Sequence, residues 1–188
     1  RDQGAILVAT ADTQGSVYNA KGLDIDALIK LKEQGRSVND YSDAQKMNGD
    51  ALIDIECDIW VPAARPDVIH DDNVGRLKTK LVVEGANIPI TYSAEITLHK
   101  QGVLCIPDFI ANAGGVICAA MEYRGSNKAA VFQSIEEKLR RNTQMVLDRM
   151  KNEGVLPRQA AVELATERVR KAMSYRRFSL FSSAPGFI

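Results

Sequence analysis

The feature of this sequence that most constrains its fold is the alternation of short apolar runs with stretches of helical periodicity. Apolar, partly β-branched runs occupy residues 5–11, 55–61, 80–84 and 102–107. Such runs are typical of strands that are covered on both faces. Their alternation with helical segments predicts an α/β fold with a doubly wound, mostly parallel sheet and helices on its faces.

Two helices are predicted between these runs. Residues 25–31 carry an apolar stripe that Asp24 would cap and Gly35 would end. A second helix is predicted over residues 93–101, just before Gly102. Each of these helices would connect one strand to the next.

The pattern changes after Asn112, from where helical spacing continues to about Met173. Gly154 and Pro157 interrupt it and predict a break between two helices. We therefore predict one domain over residues 1–173, with a helical part over 112–173. Residues 174–188 form a tail that we expect to be loosely ordered or docked on a partner surface.

The charge balance of the chain argues against two classes of partner. Lys and Arg together number 24, as do Asp and Glu, so the formal net charge is zero. A neutral chain exerts no long-range attraction on a polyanion, which disfavours nucleic acid or an anionic membrane as the main partner. No apolar run approaches the roughly 20 residues that span a bilayer, and the first residues carry no signal-peptide pattern.

Metal and disulfide chemistry are not expected from the cysteines and histidines. Cys57, Cys105 and Cys118 are widely spaced within apolar runs, and an odd count does not suit a disulfide framework. We expect buried free thiols in a reducing cytoplasm. His70 and His99 form no cluster and are expected to be solvated.

Ligands of doubly wound sheets bind outside the carboxyl ends of the strands, so the residues that follow each run are the candidates for a site. Asp12 could accept hydrogen bonds from ribose hydroxyls or simply begin a turn. The small residues 62–64 would let a ring approach the backbone, and residues 85–87 could contact a ligand or form a tight loop. Gly114 and Gly115 could open a helix N-terminus to a ligand or serve packing alone.

The phosphate-binding turn of a dinucleotide fold, Gly-x-Gly-x-x-Gly, does not occur in the sequence. Residues 1–5 instead suggest the end of a helix that leads into a strand. We expect that the chain begins after the first β-α unit and that the sheet lacks its first strand. Glycines of this type directly upstream in a longer reading frame would support that expectation.

Five strings at consistent spacing carry a family resemblance. They are ADTQGSVYNAKGLDIDAL at 11–28, CDIWVPAA at 57–64, KLVVEGANIPIT at 80–91, IPDFIANAGGV at 106–116 and LPRQAAVELATERV at 156–169. Over residues 4–173 the sequence resembles the C-terminal, Rossmann-like nucleotide-binding domain of the glutamate/leucine/phenylalanine/valine dehydrogenases. Among these it is most similar to glutamate dehydrogenases.

The resemblance implies a role for residues in each candidate loop. It implies cofactor contacts from Asp12 at the adenosine ribose, from Pro62, Ala63 and Ala64 on the adenosine side, from Gly85, Ala86 and Asn87 along the nicotinamide half, and from Asn112 at the nicotinamide carboxamide. It also implies that Val116 and Ala119 face the side chain of the substrate.

The activity implied by the resemblance is the reversible oxidative deamination of an L-amino acid to a 2-oxo acid and ammonia. The implied cofactor is NAD, with NADP possible, and the family's hexamers imply a homo-oligomer. The family's catalytic lysine and aspartate belong to its N-terminal domain. We therefore expect no catalytic residue among these 188 and no turnover by the isolated chain.

Two positions depart from the family pattern. Family members that act on glutamate tend to carry a hydroxyl residue at the position of Ala119, and its loss puts glutamate specificity in doubt. Arg65 stands where an apolar residue is usual, and we expect it to point to water.

Two other classes of protein stay open at this point. A binding or regulatory module could keep the fold without catalysis. A different Rossmann enzyme, such as a hydroxy-acid dehydrogenase, would usually have a catalytic histidine, but neither His70 nor His99 lies in a candidate loop.

Overall fold

The computed structural model describes residues 3–175, which form two compact units. Unit 1 contains residues up to 59 together with 71–80, and unit 2 contains residues 60–70 together with those from 81 onward. Most of the predicted tail, residues 176–188, lies outside the described residues.

Unit 1 is a small antiparallel sheet with one α-helix. Its elements are β1 (Ala9–Asp12), β2 (Gly15–Tyr18), α1 (Ile25–Glu33) and β3 (Gln45–Met47), and the strands lie in the order β1-β2-β3. Its core contains Val17, Leu23, Leu28, Val38 and Tyr41.

The prediction that the first apolar run belongs to a parallel sheet is wrong. β1 pairs with β2 in antiparallel register, with Ala9 opposite Tyr18 and Asp12 opposite Gly15. Only Thr13 and Gln14 connect the two strands, and a connection of two residues joins antiparallel neighbours, whereas parallel strands need a long crossover. Asp12, which the sequence offered as either a ribose ligand or the start of a turn, therefore begins a hairpin turn.

Helix α1 follows its local sequence signals as predicted. The side chain of Asp24 caps the helix by accepting a hydrogen bond from the backbone N–H of Ala27 at 3.1 Å. Leu28 is buried on the inner face. The chain leaves the helix through Gly35, whose φ of +71° lies in the left-handed region that favours glycine.

Unit 2 contains the parallel strands and the long helices. Its elements are β4 (Ile59–Trp60, whose first residue belongs to unit 1), β5 (Leu81–Val83), α2 (Tyr92–Lys100), β6 (Leu104–Ile106), α3 (Asp108–Ala111), α4 (Gly114–Tyr123), α5 (Lys128–Glu153) and α6 (Pro157–Ser174). The strands lie in the order β4-β5-β6, and β5 and β6 are parallel with Val83 opposite Ile106. The parallel α/β sheet and the C-terminal helices are thus confirmed, although the sheet has three strands in the described part of the chain.

The helices after residue 112 form where the periodicity predicts them. α5 ends at Glu153 and is followed by the capping residue Gly154, which has a φ of +66°. α6 begins at Pro157, where the missing N–H of proline costs no helical hydrogen bond. Their buried faces meet the end of β6 in a core of Ile106, Ile110, Val146, Ala160, Ala161 and Leu164. α6 therefore lies against the strand end whose loop carries candidate residues.

The cysteines of the described region are free thiols. Cys105 is buried, as predicted, whereas Cys57 and Cys118 are only half-buried. Within residues 3–175 no His, Cys, Asp or Glu group has the arrangement of a metal site, and no helix there has the length and apolarity needed to cross a membrane.

Candidate functional site

Three loops of unit 2 follow the strands of the parallel sheet, at residues 62–64, 85–87 and 107–112. Because β5 and β6 run in parallel with their last residues opposite each other, the loops that follow them start at the same edge of the sheet. We call these three loops the strand-end site. All of their residues belong to unit 2.

The first two loops pack directly against each other. The backbone N–H of Ala86 donates to the carbonyl oxygen of Pro62 at 2.8 Å. A Cβ atom added to Gly85 would lie 3.3 Å from the Cβ of Ala63, which is tighter than an ordinary van der Waals contact. Glycine at position 85 therefore lets the two backbones approach closely without displacing Ala63, while Ala64 and Arg65 are exposed.

The second and third loops meet through a pair of asparagines. Asn112 Nδ2 donates to Asn87 Oδ1 at 2.8 Å and lies 3.5 Å from the carbonyl oxygen of Gly85. Asn112 is placed by its backbone, because it ends α3 with its N–H donating to the carbonyl of Asp108 at 2.7 Å. Asn112 Oδ1 and Asn87 Nδ2 make no hydrogen bond to any other residue within 3–175. The pair thus presents one unused acceptor and one unused donor.

The backbone beside Asn87 is held in an unfavourable conformation. Ile88 has a φ of +49°, which is rare for a β-branched residue and costs of order 1–3 kcal/mol. Two hydrogen bonds keep it there. Its N–H donates to Asp108 Oδ2 at 2.8 Å, and its carbonyl accepts from the N–H of Asp67, which also has a positive φ, at 2.9 Å. Asp108 therefore fixes the direction in which the chain leaves Asn87.

A single arginine beneath the strand-end site contacts three carboxylates. The guanidinium of Arg158, on α6, donates from Nη2 to Glu84 at 2.8 Å, from Nε to Glu95 at 2.6 Å and from Nη1 to Asp108 at 3.1 Å. The Glu84 side chain is 0% exposed and that of Glu95 is 2% exposed. We call these four residues the Arg158 cluster.

The Arg158 cluster holds more negative than positive charge. Burial raises the pKa of Glu84 to about 7, because the attraction of Arg158 does not fully offset the loss of water and the neighbouring Glu95 and Asp108 repel its charge. Burial also raises the pKa of Glu95. For Asp108, burial is outweighed by hydrogen bonds from Ile88 N–H and Arg158, so that its pKa lies below the usual range. Glu84 Oε1 and Glu95 Oε1 are both buried without a hydrogen-bond partner.

None of the roles predicted from the sequence falls on a member of the Arg158 cluster. A signal was present, because Glu84 ends the apolar run of β5 and Asp108 begins α3 directly after the buried β6. A charged residue at such a position needs a buried partner, which predicts that a cation lies near it. The identity of that cation depends on the packing of α6 and could not be obtained from local sequence.

Helix α4 presents the two predicted substrate contacts on one exposed side. Val116 is 77% exposed and Ala119, three residues later, is exposed, whereas Ile117 is buried. A Cβ at Gly114 would make only ordinary contact with Ile135, and one at Gly115 would meet nothing within 4 Å in the described structure. Close packing within the described residues therefore does not explain the two glycines, and their role toward a ligand stays a prediction.

Asp12, in unit 1, is the centre of a separate hydrogen-bond cluster. Its Oδ1 accepts from the N–H of Gln14 and from Ser37 Oγ, and its Oδ2 accepts from Lys32 Nζ and the N–H of Val38, all at 2.9 Å. A carboxylate offers about four acceptor positions. The donors of the described chain therefore already fill the positions that a ribose hydroxyl would need.

These hydrogen bonds set the electrostatic state of Asp12. Burial alone would raise the pKa of Asp12, but the hydrogen bonds from Lys32, Val38, Gln14 and Ser37 outweigh it and hold the pKa well below the usual range. Because the pKa in the folded chain is depressed, this carboxylate contributes stability above its unfolded pKa of about 3.8, and the contribution is lost as the pH falls.

We expect Asp12→Asn to lower the free energy of unfolding at pH 7 by about 1.5–3 kcal/mol, the range for charge-assisted hydrogen bonds. An amide can accept at one atom only, so half of the donors lose their partner. Urea unfolding followed by circular dichroism measures the change. Asp43→Asn, at an exposed position of the same unit, is the matched control and should change stability by less than about 0.5 kcal/mol. Equal losses in the two variants would contradict a structural role for Asp12.

The fold and the strand-end loops are those of a known family of α/β dehydrogenases. The family model for Glutamate/Leucine/Phenylalanine/Valine dehydrogenase matches residues 1–177, and the chain belongs to this family. The glutamate dehydrogenase of Aeropyrum pernix is 36% identical over 185 residues, which cover 93% of this chain and 44% of the relative.

Two further comparisons agree with this assignment. An NADP-specific glutamate dehydrogenase of Saccharolobus shibatae is 32% identical over 151 residues, which cover 80% of this chain and 34% of the relative. The hetero-hexameric glutamate dehydrogenase of Thermus thermophilus, solved in a leucine-bound form, has a TM-score of 0.81 at 25% identity and covers 95% of this chain and 43% of its own. The chain thus spans less than half the length of these relatives.

Proposed function

We propose that this chain is the nucleotide-binding domain of an amino-acid dehydrogenase and that its strand-end site binds the nicotinamide half of NAD or NADP. The reaction is the reversible oxidative deamination of an L-amino acid to a 2-oxo acid and ammonia. NAD or NADP, when bound, would supply the hydride-transfer chemistry of this reaction. The residues of this chain bind and orient the nicotinamide ring.

The observation that carries this proposal is the Asn87–Asn112 pair. A primary carboxamide has an N–H₂ donor and a carbonyl acceptor, and the pair offers the complementary acceptor, Asn112 Oδ1, and donor, Asn87 Nδ2. The hydrogen bond from Asn112 Nδ2 to Asn87 Oδ1 at 2.8 Å orients the two side chains relative to each other before a ligand arrives. Such a pair would fix the orientation of the carboxamide, because its N–H₂ must meet Asn112 Oδ1 while its carbonyl oxygen meets Asn87 Nδ2.

The rest of the cofactor would lie along the neighbouring loops. The exposed Gly85 and the backbone of the buried Ala86 would continue the nicotinamide half. Ala63 and Ala64, which are exposed beside the buried Pro62, would offer small side chains to the adenosine side. Gly85 has no side chain and Ala63 has only a methyl group, so the surface where these two loops meet stays low. A flat ligand can therefore approach the backbone of both.

The choice between NAD and NADP depends on Asp12 and its neighbour Lys32. We propose Asp12 as the group that binds the adenosine ribose, where a hydroxyl would replace the Lys32 ammonium, the more exposed of its side-chain donors. The Asp12 carboxylate would repel the 2′-phosphate of NADP, while the Lys32 ammonium, which lies 2.9 Å from Asp12 Oδ2, would offset part of that repulsion. NAD is therefore the proposed cofactor, with NADP possible, and comparing 5′-AMP with 2′,5′-ADP as ligands tests this choice.

The substrate proposed for this domain is an L-amino acid whose side chain faces Val116 and Ala119. Both residues are apolar and exposed on α4, and Ala119 supplies no hydroxyl to a distal carboxylate. We propose that the acid–base groups of the reaction come from outside these 188 residues and that the isolated chain shows no turnover. We also propose a homo-oligomer, which light scattering of the purified chain would detect.

A titration with half-cofactors tests the nicotinamide site. We expect reduced nicotinamide mononucleotide, at millimolar concentration, to shift the amide and side-chain NMR signals of Asn87 and Asn112 in the ¹⁵N-labelled chain, whereas 5′-AMP leaves them in place. Asn112→Ala should weaken mononucleotide binding about tenfold, because one hydrogen bond is lost and its partner Asn87 is released.

The matched control for this titration is Asn142→Ala, on the exposed side of α5, where the asparagine accepts from Arg168. This variant should bind the mononucleotide with unchanged affinity. Mononucleotide that leaves the signals of Asn87 and Asn112 unmoved, or that binds equally to Asn112→Ala and Asn142→Ala, would refute the proposal.

A further inference from the structure

The Arg158 guanidinium connects the two loops that carry the asparagine pair. Through Nη2 it binds Glu84, the residue directly before Gly85 in the second loop. Through Nη1 it binds Asp108, the first residue of α3, whose four residues end directly before Asn112. One side chain from α6 is therefore bonded to the start of both segments that position the pair.

A second connection runs from Asp108 to the far side of Asn87. Asp108 Oδ1 accepts from Arg158, while Asp108 Oδ2 accepts from the N–H of Ile88, whose positive φ turns the chain directly after Asn87. Arg158 thus contacts the chain on both sides of Asn87. It binds Glu84, three residues before Asn87, and it is linked through Asp108 to Ile88, the residue directly after Asn87.

We propose that Arg158 is a positioning residue of the strand-end site: it sets the spacing between Asn87 and Asn112 through Glu84 and Asp108. The meaning of this spacing for catalysis rests on the function proposed above. The spacing between Asn87 and Asn112 can itself be tested independently of that function, because it is measured on the chain without a nucleotide.

The positioning role of residue 158 requires an arginine, and a positive charge alone does not suffice. Nε, Nη1 and Nη2 each donate to a different carboxylate at 2.6–3.1 Å, and Glu95 on α2 fixes the plane of the guanidinium. A lysine ammonium is a compact charge at the end of a flexible stem and cannot hold three carboxylates at these separate positions. Within residues 3–175, Arg158 is the only cation bonded to Glu84, Glu95 or Asp108.

The experiment is amide hydrogen exchange with NMR detection on the 188-residue chain. We expect Arg158→Lys to raise the exchange rate of the Ile88 amide at least about tenfold relative to the core amides of Val82 and Leu98. The side-chain amide signals of Asn112 should shift in the same variant. Arg149→Lys is the matched control, because Arg149 also contacts three carboxylates, on Glu153, Glu163 and Glu167, and should leave Ile88 and Asn112 unchanged.

A second variant keeps the test decisive if Arg158→Lys does not fold. Asp108→Asn preserves the shape of the side chain, but its single amide oxygen can accept from Ile88 or from Arg158 and not from both. We expect the same selective loss of Ile88 protection and the same shift at Asn112. A uniform rise in exchange across Val82, Leu98 and Ile88, or no change at Ile88, would overturn the proposal in either variant.

Binding of reduced nicotinamide mononucleotide to the same samples separates this inference from the proposed function. We expect Arg158→Lys to weaken binding about tenfold and Arg149→Lys to leave it unchanged. Selective exposure of Ile88 without mononucleotide binding by the unmodified chain would refute the cofactor site and leave the positioning role intact. Mononucleotide binding that is equally strong in the unmodified chain and in a folded Arg158→Lys variant would overturn the positioning role.

Discussion

Arg158→Met is expected to lower the free energy of unfolding of unit 2 at pH 8 by about 3–5 kcal/mol, the range observed when one partner of a buried ion pair is removed. The substitution leaves Glu84 and Glu95, which are 0% and 2% exposed, without the cation that offsets their burial. Methionine fills a similar volume, so that the loss reports charge and hydrogen bonding more than packing. Urea unfolding measures this loss of stability. The signal is the fluorescence of Trp60, which is the only tryptophan of the chain and belongs to unit 2.

Arg149→Met is the matched control for this substitution. Arg149 contacts Glu153, Glu163 and Glu167 at 2.9–4.0 Å, but all three carboxylates are at least 39% exposed. Exposed ion pairs contribute at most about 1 kcal/mol, and the expected loss is of that size. Similar losses in the two variants would contradict the account of Arg158 as the counter-charge of buried carboxylates.

The second large effect is a fall in stability as the pH rises through neutrality. Glu84 has a pKa of about 7 in the folded chain against an ordinary value of 4.5, so the folded state binds more protons than the unfolded state between these values. The free energy of unfolding therefore decreases as the pH rises through this window, by at most about 1.4 kcal/mol per pH unit for one proton. Glu95, whose pKa is also raised by burial, acts in the same direction.

Glu84→Gln should flatten this dependence, because an amide does not titrate. Urea unfolding at pH 5, 6, 7 and 8 gives the slope of the unfolding free energy against pH for the unmodified chain and for the variant. Glu163→Gln, on the same helix as Arg158 but at a partly exposed position, serves as the control and should keep the slope of the unmodified chain. A slope that Glu84→Gln leaves unchanged would show that Glu84 is ionised throughout this range.

Much of the fold is predictable because its signals are local. The cap at Asp24, the left-handed glycines at 35 and 154 and the proline at 157 each act on the residues next to them, and the structure shows the helix ends that they predict. The run at residues 5–11 was harder to interpret, because an apolar run is compatible with either kind of sheet. The two-residue turn after Asp12 decides in favour of an antiparallel hairpin.

The candidate site is predictable at the level of loops and not at the level of contacts. The rule that ligands lie at the carboxyl ends of parallel strands selects the loops that contain Asn87 and Asn112, which the structure brings to 2.8 Å. The bonds of Arg158 join residues separated by 50, 63 and 74 positions in the sequence. No periodicity reports such a contact, because it arises from the packing of α6 against the sheet.

We propose that the Asn87–Asn112 pair binds the carboxamide of a nicotinamide ring. Intermolecular nuclear Overhauser effects between NADH and the labelled chain are the direct test of this contact. We expect cross-peaks between the nicotinamide protons and the side-chain amides of Asn87 and Asn112. Cross-peaks from the nicotinamide only to residues outside the strand-end site, or none at a concentration of NADH that saturates the chain, would contradict it.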